Sequence, residues 1–361
     1  DRRQRQMCIR DSSSPYLPID TLGFGSLYAF AQDPAMRELG REGMDFAYYL
    51  LAVHSQQGIF ASSSGRTYIK EQFGNWSNCP SGLSWIGYGY GVPGHAGKGI
   101  TSYCLSDYEP PKEFAQWFSI PRGKEMICQT TQGNDGYVDL YTYKTADYMM
   151  TSANDFHPGE PGHQENPFQL TFNAVAQLWV THPGERVLFG AARPSYWAGN
   201  GTLPKVNQYK AFAGLIYDIA PEHPVDFTHL YLPSMEFDRC EVEGKWAFVQ
   251  LGSAYAAVYC SNGMRMQDFG SNKDRECIAE GRRCIWLVRA AQADEFAAFE
   301  DFKAAMRGAA LDADAEGRRY RFVDPVYGEL RCQWGETLYV NDAPMQYSGF
   351  DNYGKLTMQE K

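Results

Sequence analysis

The sequence lacks the patterns that mark several common classes of protein. It has no apolar run long enough to span a bilayer and no two cysteines in the C-x-x-C spacing of zinc ribbons and thioredoxin-type sites. The glycine-rich signature of P-loop nucleotide binding and the G-x-S-x-G elbow of serine hydrolases are also missing. These absences argue against a membrane-spanning helix, a zinc ribbon, a P-loop nucleotidase and a serine hydrolase.

An excess of basic residues is lacking too. The chain has 33 Lys and Arg against 43 Asp and Glu, a net charge of −10. Such an acidic balance disfavours nucleic acid and anionic membranes as partners, because both repel a negative surface. A local cluster of arginines can still bind an anionic sugar. We therefore expect no nucleic-acid partner and no membrane partner.

The opening tract, residues 1–12, resembles the translation of a synthetic DNA adapter more than a segment of a natural protein. Back-translated in one reading frame, it matches a transposase adapter used to prepare sequencing libraries. Residues of such an origin are not part of the natural protein and are left out when the fold is predicted. The alternative is a basic arm that binds nucleic acid. We expect the fold to begin at Ser13 and the chain to be a fragment. Without the four Arg and two Asp of the tract, the net charge of −10 becomes −12.

The sequence does not indicate the cellular compartment of the protein, because we expect the true N-terminus to be missing. Eight cysteines remain after the tract, scattered from Cys79 to Cys332. Scattered single cysteines lean slightly towards buried thiols in a reducing compartment.

The first hundred residues have helical periodicity. Apolar residues recur about every 3.6 positions from Ala35 to His54, and a shorter helical stretch is predicted around residues 81–88. The glycines between Gly87 and Gly99 then form a flexible link. This pattern predicts a helical domain over residues 13–107.

From about Tyr108 the pattern changes to short strand-like runs separated by turns. One helix, from Asp294 to Arg307, interrupts them. We predict an α+β multidomain protein, with an antiparallel β-sandwich over residues 108–310 and a short-strand extension over residues 311–361.

Four segments carry a resemblance to a known group of proteins. Residues 141–153, 157–169, 181–184 and 196–206 resemble large, uncharacterised bacterial proteins in which an α/α toroid precedes a β-sandwich. That architecture is similar to the heparinase II/III-type polysaccharide lyases. The resemblance implies the C-terminal part of a toroid followed by a large sandwich. By analogy of fold alone, it also implies β-elimination on a uronate-containing glycan.

A uronate lyase must neutralise the carboxylate beside C5, remove the C5 proton and protonate the departing O4. Similar lyases use Tyr or His for the proton steps. In this sequence Arg66 could bind the carboxylate in a bidentate manner, and Tyr68 could carry the proton. Asn75 and Trp76 follow on the same loop and are predicted to bind substrate. The alternative is that Arg66 pairs internally and Tyr68 packs.

The densest polar segment runs from Asn154 to Asn166 and supplies most of the other candidates. One of its two histidines is predicted to act as the base and the other to bind the substrate carboxylate. Its remaining polar residues are predicted to bind the substrate or to supply a catalytic carboxylate. No cofactor is expected, although the two histidines with Asp155 or Glu165 could hold a divalent metal. The alternative is a structural turn. The candidates are His157, Glu160, His163, Glu165 and Asn166.

Other readings of the sequence remain open. Glu160 and Glu165 also permit a glycoside hydrolase with paired carboxylates, and a non-catalytic glycan-binding or structural β domain is the third possibility. Trp197 and Asn200 are predicted to form a sugar subsite, unless Trp197 is buried in the sandwich. His229 is either an inward strand residue or a cleft residue.

Two further histidines are given structural roles. His54 is predicted to cap a helix C-terminus, and His182 to lie in a turn.

These functional expectations share one spatial requirement. The loop with Arg66 and Tyr68 must face the 157–166 loop across a groove between the two domains. An oligo- or polysaccharide would be the partner, and the oligomeric state is not predicted.

Overall fold

The computed structural model describes residues 13–73, 78–93, 99–133, 137–188, 190 and 192–361. The tract expected to be translated adapter lies outside these residues, as do Asn75 and Trp76. The helices are α1 (Leu17–Phe30), α2 (Pro34–Val53), α3 (Ile69–Gln72), α4 (Cys79–Tyr88), α5 (Ile100–Cys104) and α6 (Phe299–Gly308), with 3₁₀ turns at Lys112–Trp117 and Ser234–Glu236.

The strands form several antiparallel sheets, so the fold is α+β. A hairpin of β1 (Ser55–Gln56) and β2 (Ile59–Phe60) precedes the larger sheets. The others are β3 (Lys124–Gln132), β4 (Val138–Lys144), β5 (Met149–Asn154), β6 (Phe168–Thr171), β7 (Gln177–Thr181), β8 (Lys205–Tyr209), β9 (Phe212–Asp218), β10 (Phe227–Tyr231), β11 (Arg239–Glu243), β12 (Trp246–Leu251), β13 (Ala254–Cys260), β14 (Arg265–Met266), β15 (Glu276–Glu280), β16 (Arg283–Gln292), β17 (Leu311–Asp314), β18 (Arg319–Asp324), β19 (Gly328–Gln333), β20 (Tyr339–Val340), β21 (Ala343–Pro344) and β22 (Lys355–Glu360).

Three sheets make up the β region. The largest has nine strands in the order β14-β15-β10-β7-β6-β5-β4-β3-β22. The second has six, β11-β12-β13-β16-β9-β8, and the third has five, β17-β18-β19-β20-β21. The last strand of the chain therefore closes one edge of the largest sheet by pairing with β3.

The inner face of the nine-stranded sheet packs against the six-stranded sheet. Tyr217 of β9 donates a hydrogen bond to the carbonyl oxygen of Val180 in β7 (3.2 Å), and Trp286 of β16 donates to Thr228 in β10 (2.9 Å). Phe302 of α6 belongs to the same buried cluster. A common apolar core of this kind supplies most of the stabilisation of such a layered fold. The five-stranded sheet contributes Tyr320, Phe322, Leu330 and Cys332 to it.

The outer face of the nine-stranded sheet carries several polar side chains, and these are covered. The segment that follows α2 lies across it and satisfies its side chains: Ser63 N–H donates to Thr151 (2.7 Å), and Thr171 donates to the Ala61 carbonyl (3.1 Å). Lys144, fully buried, donates to the Ala52 carbonyl at the end of α2 (2.9 Å). Because buried polar groups need partners, these contacts fix the path of the chain towards Arg66 and Tyr68.

Helix α2 begins one residue earlier than predicted, at Pro34, where the Asp33 side chain accepts a hydrogen bond from Ala35 N–H (2.9 Å). Aspartate before proline is a favourable helix start. Gly40 lets α2 approach α1 closely, since a Cβ there would lie 2.5 Å from the Tyr28 backbone nitrogen.

His54 is the C-cap residue of α2, as predicted, and its backbone N–H donates to the Leu50 carbonyl oxygen (3.0 Å). Its side chain takes no part in the cap. Its Nδ1 lies 3.0 Å from the Thr142 hydroxyl, inside the interface between α2 and the sheet. Burial, with a smaller contribution from the Lys144 charge, lowers the pKa of His54 to about 3. A histidine that stays neutral at ordinary pH cannot offer the positive charge that favours a helix C-terminus.

Within the described residues there is no evidence for an α/α toroid, because only α1 and α2 exceed ten residues. These helices share a buried cluster with β3, through Met126 and Cys128. None of the helices that the structure describes has both the length and the apolar character needed to cross a bilayer. Seven of the cysteines are free thiols: Cys104, Cys128, Cys240, Cys260, Cys277, Cys284 and Cys332.

Candidate functional site

Two loops singled out in the sequence lie side by side. Ser64 and Asn166 exchange two backbone hydrogen bonds, of 2.8 and 2.7 Å. Thr67 N–H donates to the Gln164 carbonyl (2.9 Å), and the Gln164 side-chain amide donates back to the Thr67 carbonyl (3.0 Å). This short antiparallel pairing brings the Arg66–Tyr68 segment against the 157–166 loop.

Five side chains gather at this junction, and we refer to them as the Tyr68 cluster. The Arg66 guanidinium lies 5.5 Å from the Tyr16 ring centroid and 5.8 Å from that of Tyr68. The Arg193 guanidinium also lies 5.8 Å from the Tyr68 ring, and the hydroxyls of Tyr16 and Tyr68 are 3.4 Å apart. His163 joins them through the Arg193 carbonyl, 3.2 Å from its Nδ1.

The two arginines of the cluster lack a direct ion-pair partner among the described residues. Neither forms an ion pair with a carboxylate in the part of the chain that the structure describes, and Arg66 Nε is buried there without a hydrogen-bond partner. A buried donor without an acceptor is costly. An anionic ligand would satisfy both guanidinium groups, and Arg is well suited to binding carboxylates in a bidentate geometry.

The surroundings of Tyr68 make its hydroxyl easier to ionise. The hydrogen bond with Tyr16 is the largest influence and lowers the pKa of Tyr68. Burial, the next largest, raises it, and the positive charges of Arg66 and Arg193 lower it again, so the net direction is downward. Tyr68 is only partly buried. A hydroxyl that is both accessible and easier to ionise is suited to proton transfer.

The surroundings of His163 favour its neutral form. Burial is the largest influence and lowers the pKa of His163, the hydrogen bond to the Arg193 carbonyl raises it, and the charges of Arg66 and Arg193 lower it again. A carbonyl oxygen only accepts hydrogen bonds, so the Nδ1 that faces Arg193 carries the proton. The Nε2 of His163 is then the nitrogen with the free lone pair.

Glu165 supports the cluster from inside. Its Oε2 accepts a 2.5 Å hydrogen bond from His163 N–H, and the residue is 8% exposed. Burial raises the pKa of Glu165, while the nearby positive charge of Arg66 works against the rise. Asn166, buried beside it, pairs with Ser64 through its backbone, and its side-chain amide donates to Gln169 (2.8 Å).

His157 and Glu160 form a separate pair. Nδ1 of His157 lies 3.3 Å from Glu160 Oε1, and the histidine ring packs against Tyr137 and Phe156 at centroid distances of 5.1 and 4.8 Å. No hydrogen bond or ring contact among the described residues joins this pair to His163. The described chain also holds no group of three His, Cys, Asp or Glu side chains placed to bind a metal ion.

The expectation that Trp197 forms a sugar-stacking platform does not agree with the structure. Trp197 is 3% exposed, and its ring stacks on His229 with centroids 4.2 Å apart. Glu276 accepts hydrogen bonds from His229 Nδ1 (2.6 Å), Tyr196 (2.6 Å) and Asn272 (2.8 Å). His229 is thus a buried strand residue bonded within the protein, which agrees with the structural one of the two readings of the sequence. It lies on the outer face of the nine-stranded sheet, because its neighbour Thr228 faces the inner one.

Asn200 is buried as well and joins three parts of the fold. Its side-chain oxygen accepts from His182 N–H (2.9 Å) and from the Tyr217 hydroxyl (3.1 Å), while its amide donates to the Glu165 carbonyl (3.0 Å). A residue with all these bonds satisfied internally has little left for a sugar. Asn200 instead anchors the loop that carries Glu165.

Two members of the Tyr68 cluster were not found from the sequence. Tyr16 precedes the first helix, and Arg193 lies in a turn-rich stretch more than a hundred residues beyond Tyr68. Neither belongs to a local motif. Only the tertiary fold brings them to Tyr68.

Comparisons with protein-family models, curated protein sequences and solved structures find nothing that this chain matches. The chemistry of the Tyr68 cluster is therefore the basis for assigning a function.

Proposed function

We propose that this protein is a carbohydrate-active enzyme that cleaves a uronate-containing glycan by β-elimination, as polysaccharide lyases do. The proposal includes the finer architecture implied by the resemblance, in which the helical region is the end of an α/α toroid and the packed sheets are a lyase-type sandwich. The catalytic centre would be the Tyr68 cluster, and no cofactor is required.

One observation carries the proposal: the Tyr68 hydroxyl lies beside two arginines that have no acidic partner in the described part of the chain. Elimination from a uronate needs this combination. Positive charge at the carboxylate makes the adjacent C5 proton more acidic, and a poised base next to that charge can remove it.

The reaction proceeds as follows. Arg66 and Arg193 bind the uronate carboxylate, and the Tyr68 phenolate takes the proton from C5. The C5–H electron pair forms the C4=C5 double bond while the C4–O4 bond breaks. The proton now on Tyr68 passes to O4, which regenerates the phenolate. Tyr16 stabilises the phenolate through its hydroxyl, 3.4 Å away.

His163 and Glu165 have supporting roles in this scheme. The lone pair on His163 Nε2 can accept a hydrogen bond from a sugar hydroxyl. Glu165 fixes the His163 backbone through its 2.5 Å hydrogen bond. Positioning of this kind matters because small displacements of catalytic groups reduce rates strongly.

A glycoside hydrolase is the second candidate, and the raised pKa of Glu165 favours it. A carboxylic acid kept protonated by burial is what a general acid requires. Against this, Glu160 is exposed and paired with His157. The third candidate, a non-catalytic glycan-binding domain, needs only the arginines.

The three candidates give different products. The protein is incubated with polygalacturonate, alginate, hyaluronan and heparan sulfate, and both new reducing ends and the ultraviolet absorbance of unsaturated uronate are followed. Elimination produces both signals in equal amounts. Reducing ends without ultraviolet absorbance, abolished in Glu165→Gln, would replace the lyase proposal with hydrolysis, and binding without either signal would leave only the binding domain.

A further inference from the structure

Two histidines that the proposed reaction does not use lie together beyond the end of strand β7. His182 follows β7, His223 lies in the loop before β10, and their ring centroids are 4.3 Å apart. Both rings approach Gly201, whose backbone N–H donates to the His182 carbonyl oxygen (2.8 Å). His182 is fully buried, whereas His223 is partly exposed. The pair therefore lies at the boundary between the core and the surface.

One backbone carbonyl orients both rings. Nε2 of His182 lies 3.1 Å from the Val225 carbonyl oxygen, and Nδ1 of His223 lies 3.2 Å from the same oxygen. Because this oxygen only accepts hydrogen bonds, a ring that donates to it keeps its lone pair on its other nitrogen. Those nitrogens are Nδ1 of His182 and Nε2 of His223. Histidines that bind metals commonly donate their second ring nitrogen to a carbonyl in this way.

The tautomer of His223 can respond to a ligand. The Val225 N–H lies 3.1 Å from Nδ1 of His223, so this nitrogen either accepts from the N–H or donates to the carbonyl oxygen. In the first form the ring proton is on Nε2, and in the second the lone pair is there. A cation at Nε2 selects the second form, in which Val225 still supplies a partner.

The two nitrogens face one gap, and Gly201 keeps it open. A Cβ at position 201 would lie 3.0 Å from Nδ1 of His182 and 2.7 Å from Nε2 of His223. The backbone of Gly201 is outside the left-handed region, so its conformation does not require glycine. The missing side chain instead leaves space between the nitrogens. Because a Zn–N bond is about 2.0–2.1 Å long, a metal ion bonded to both nitrogens would lie in this gap.

Nδ1 of His182 is a buried acceptor that lacks a donor. No group in the part of the chain that the structure describes hydrogen-bonds to it, and a buried polar atom without a partner is costly. Burial is the largest influence and lowers the pKa of His182 to about 3, and the neighbouring His223 acts in the same direction. The ring is therefore neutral at ordinary pH, as a metal ligand must be.

We propose that His182 and His223 bind a divalent transition-metal ion, with Nδ1 of His182 and Nε2 of His223 as its protein ligands. Imidazole nitrogens suit Zn²⁺, Ni²⁺ and Cu²⁺, whereas Mg²⁺ and Ca²⁺ prefer oxygen ligands. The described residues add no third His, Cys, Asp or Glu ligand, so water completes the coordination. The ion joins the end of β7 to the loop before β10. This site is independent of the proposed reaction.

Equilibrium dialysis of the folded protein against Zn²⁺ tests the site. Bound zinc is counted per chain after a chelator has removed any metal carried over from purification. His223→Asn removes one ligand, and Gly201→Ala places a methyl group in the gap. Each variant should bind one zinc ion fewer than the parent. An excess of Mg²⁺ should not displace this ion, because two imidazoles are poor ligands for Mg²⁺.

Gly308→Ala is the matched control for the glycine variant. Position 308 also lies outside the left-handed region, and a Cβ there would meet no atom within 4 Å. This variant should bind as many zinc ions as the parent. Unchanged zinc binding by His223→Asn or by Gly201→Ala, or an equal loss in Gly308→Ala, would overturn the site.

A second measurement needs no variant. Crystals of the unmodified protein are grown with Zn²⁺, and anomalous scattering at the zinc absorption edge gives the position of each ion. We expect an ion within bonding distance, about 2.0–2.1 Å, of both Nδ1 of His182 and Nε2 of His223. Anomalous peaks only at other places would overturn the proposal.

Discussion

The buried network around Glu276 makes a quantitative prediction about stability. Glu276 is 1% exposed and is the common acceptor for His229, Tyr196 and Asn272. Burial alone would raise the pKa of Glu276, but these hydrogen bonds outweigh it and lower the pKa. Glu276→Ala removes the acceptor and leaves three donors facing an empty space.

The expected loss follows from the number of contacts. Each buried donor without an acceptor costs about 1–3 kcal/mol. Because water entering the vacated space can satisfy some of these donors, we expect a total loss of about 4 kcal/mol, which is within the range for breaking a buried ion pair. For a chain of this size that corresponds to a decrease of about 5 °C in Tm.

Thermal and urea unfolding, followed by tryptophan fluorescence, measure this loss. Glu276→Gln keeps one acceptor oxygen and should lose about half as much stability as the alanine variant. Glu222→Ala, at an exposed position, is the control and should leave Tm unchanged. A decrease equivalent to less than about 1 kcal/mol in Glu276→Ala would show that the network does not stabilise the fold.

Three further predictions follow from other contacts. Burial lowers the pKa of His54 to about 3, so below about pH 6.5 the unfolded chain binds more protons than the folded one. The free energy of unfolding should therefore fall by about 1.4 kcal/mol per pH unit from there towards pH 3. Urea midpoints of the parent and of His54→Asn across that range test this, and an equal dependence of the two midpoints on pH would contradict it. Asn200→Ala removes three buried hydrogen bonds and should cost about 2–3 kcal/mol in urea unfolding; an unchanged midpoint would refute the anchoring role. Arg193→Ala should raise KM for a uronate polymer about tenfold, with Arg193→Lys recovering part of the loss; kinetics with KM unchanged would remove Arg193 from the binding site.

Much of the β architecture follows from the sequence because its signals are local. Strand-like runs such as Tyr255–Cys260 and Cys284–Val288 lie in strands β13 and β16, and the sequence predicts turns between runs of this kind. The helix expected from Asp294 begins only at Phe299. Its first residues are used in tertiary ion pairs instead, since Asp294 and Glu295 both bind Lys361.

The candidate site could be predicted only in part. Arg66, Tyr68 and His163 were chosen for their side-chain chemistry, and the structure brings them together. Tyr16 and Arg193 carry no local signal, because their place depends on how distant segments fold onto the same loop. For Trp197 the sequence leaves two readings open, because a ring that is suited to stacking on a sugar is equally suited to stacking on His229, and the structure agrees with the buried reading.

The proton-transfer role of Tyr68 is the central claim, and one comparison tests it directly. Initial rates of unsaturated-uronate formation are measured for the parent and for Tyr68→Phe on the polymer that the parent cleaves fastest. The phenyl ring preserves the contacts with Arg66 and Arg193, so only the hydroxyl is lost. We predict a decrease of about 10²- to 10⁴-fold in kcat, with the unfolding midpoint nearly unchanged. Elimination by Tyr68→Phe at a rate close to that of the parent would contradict the claim.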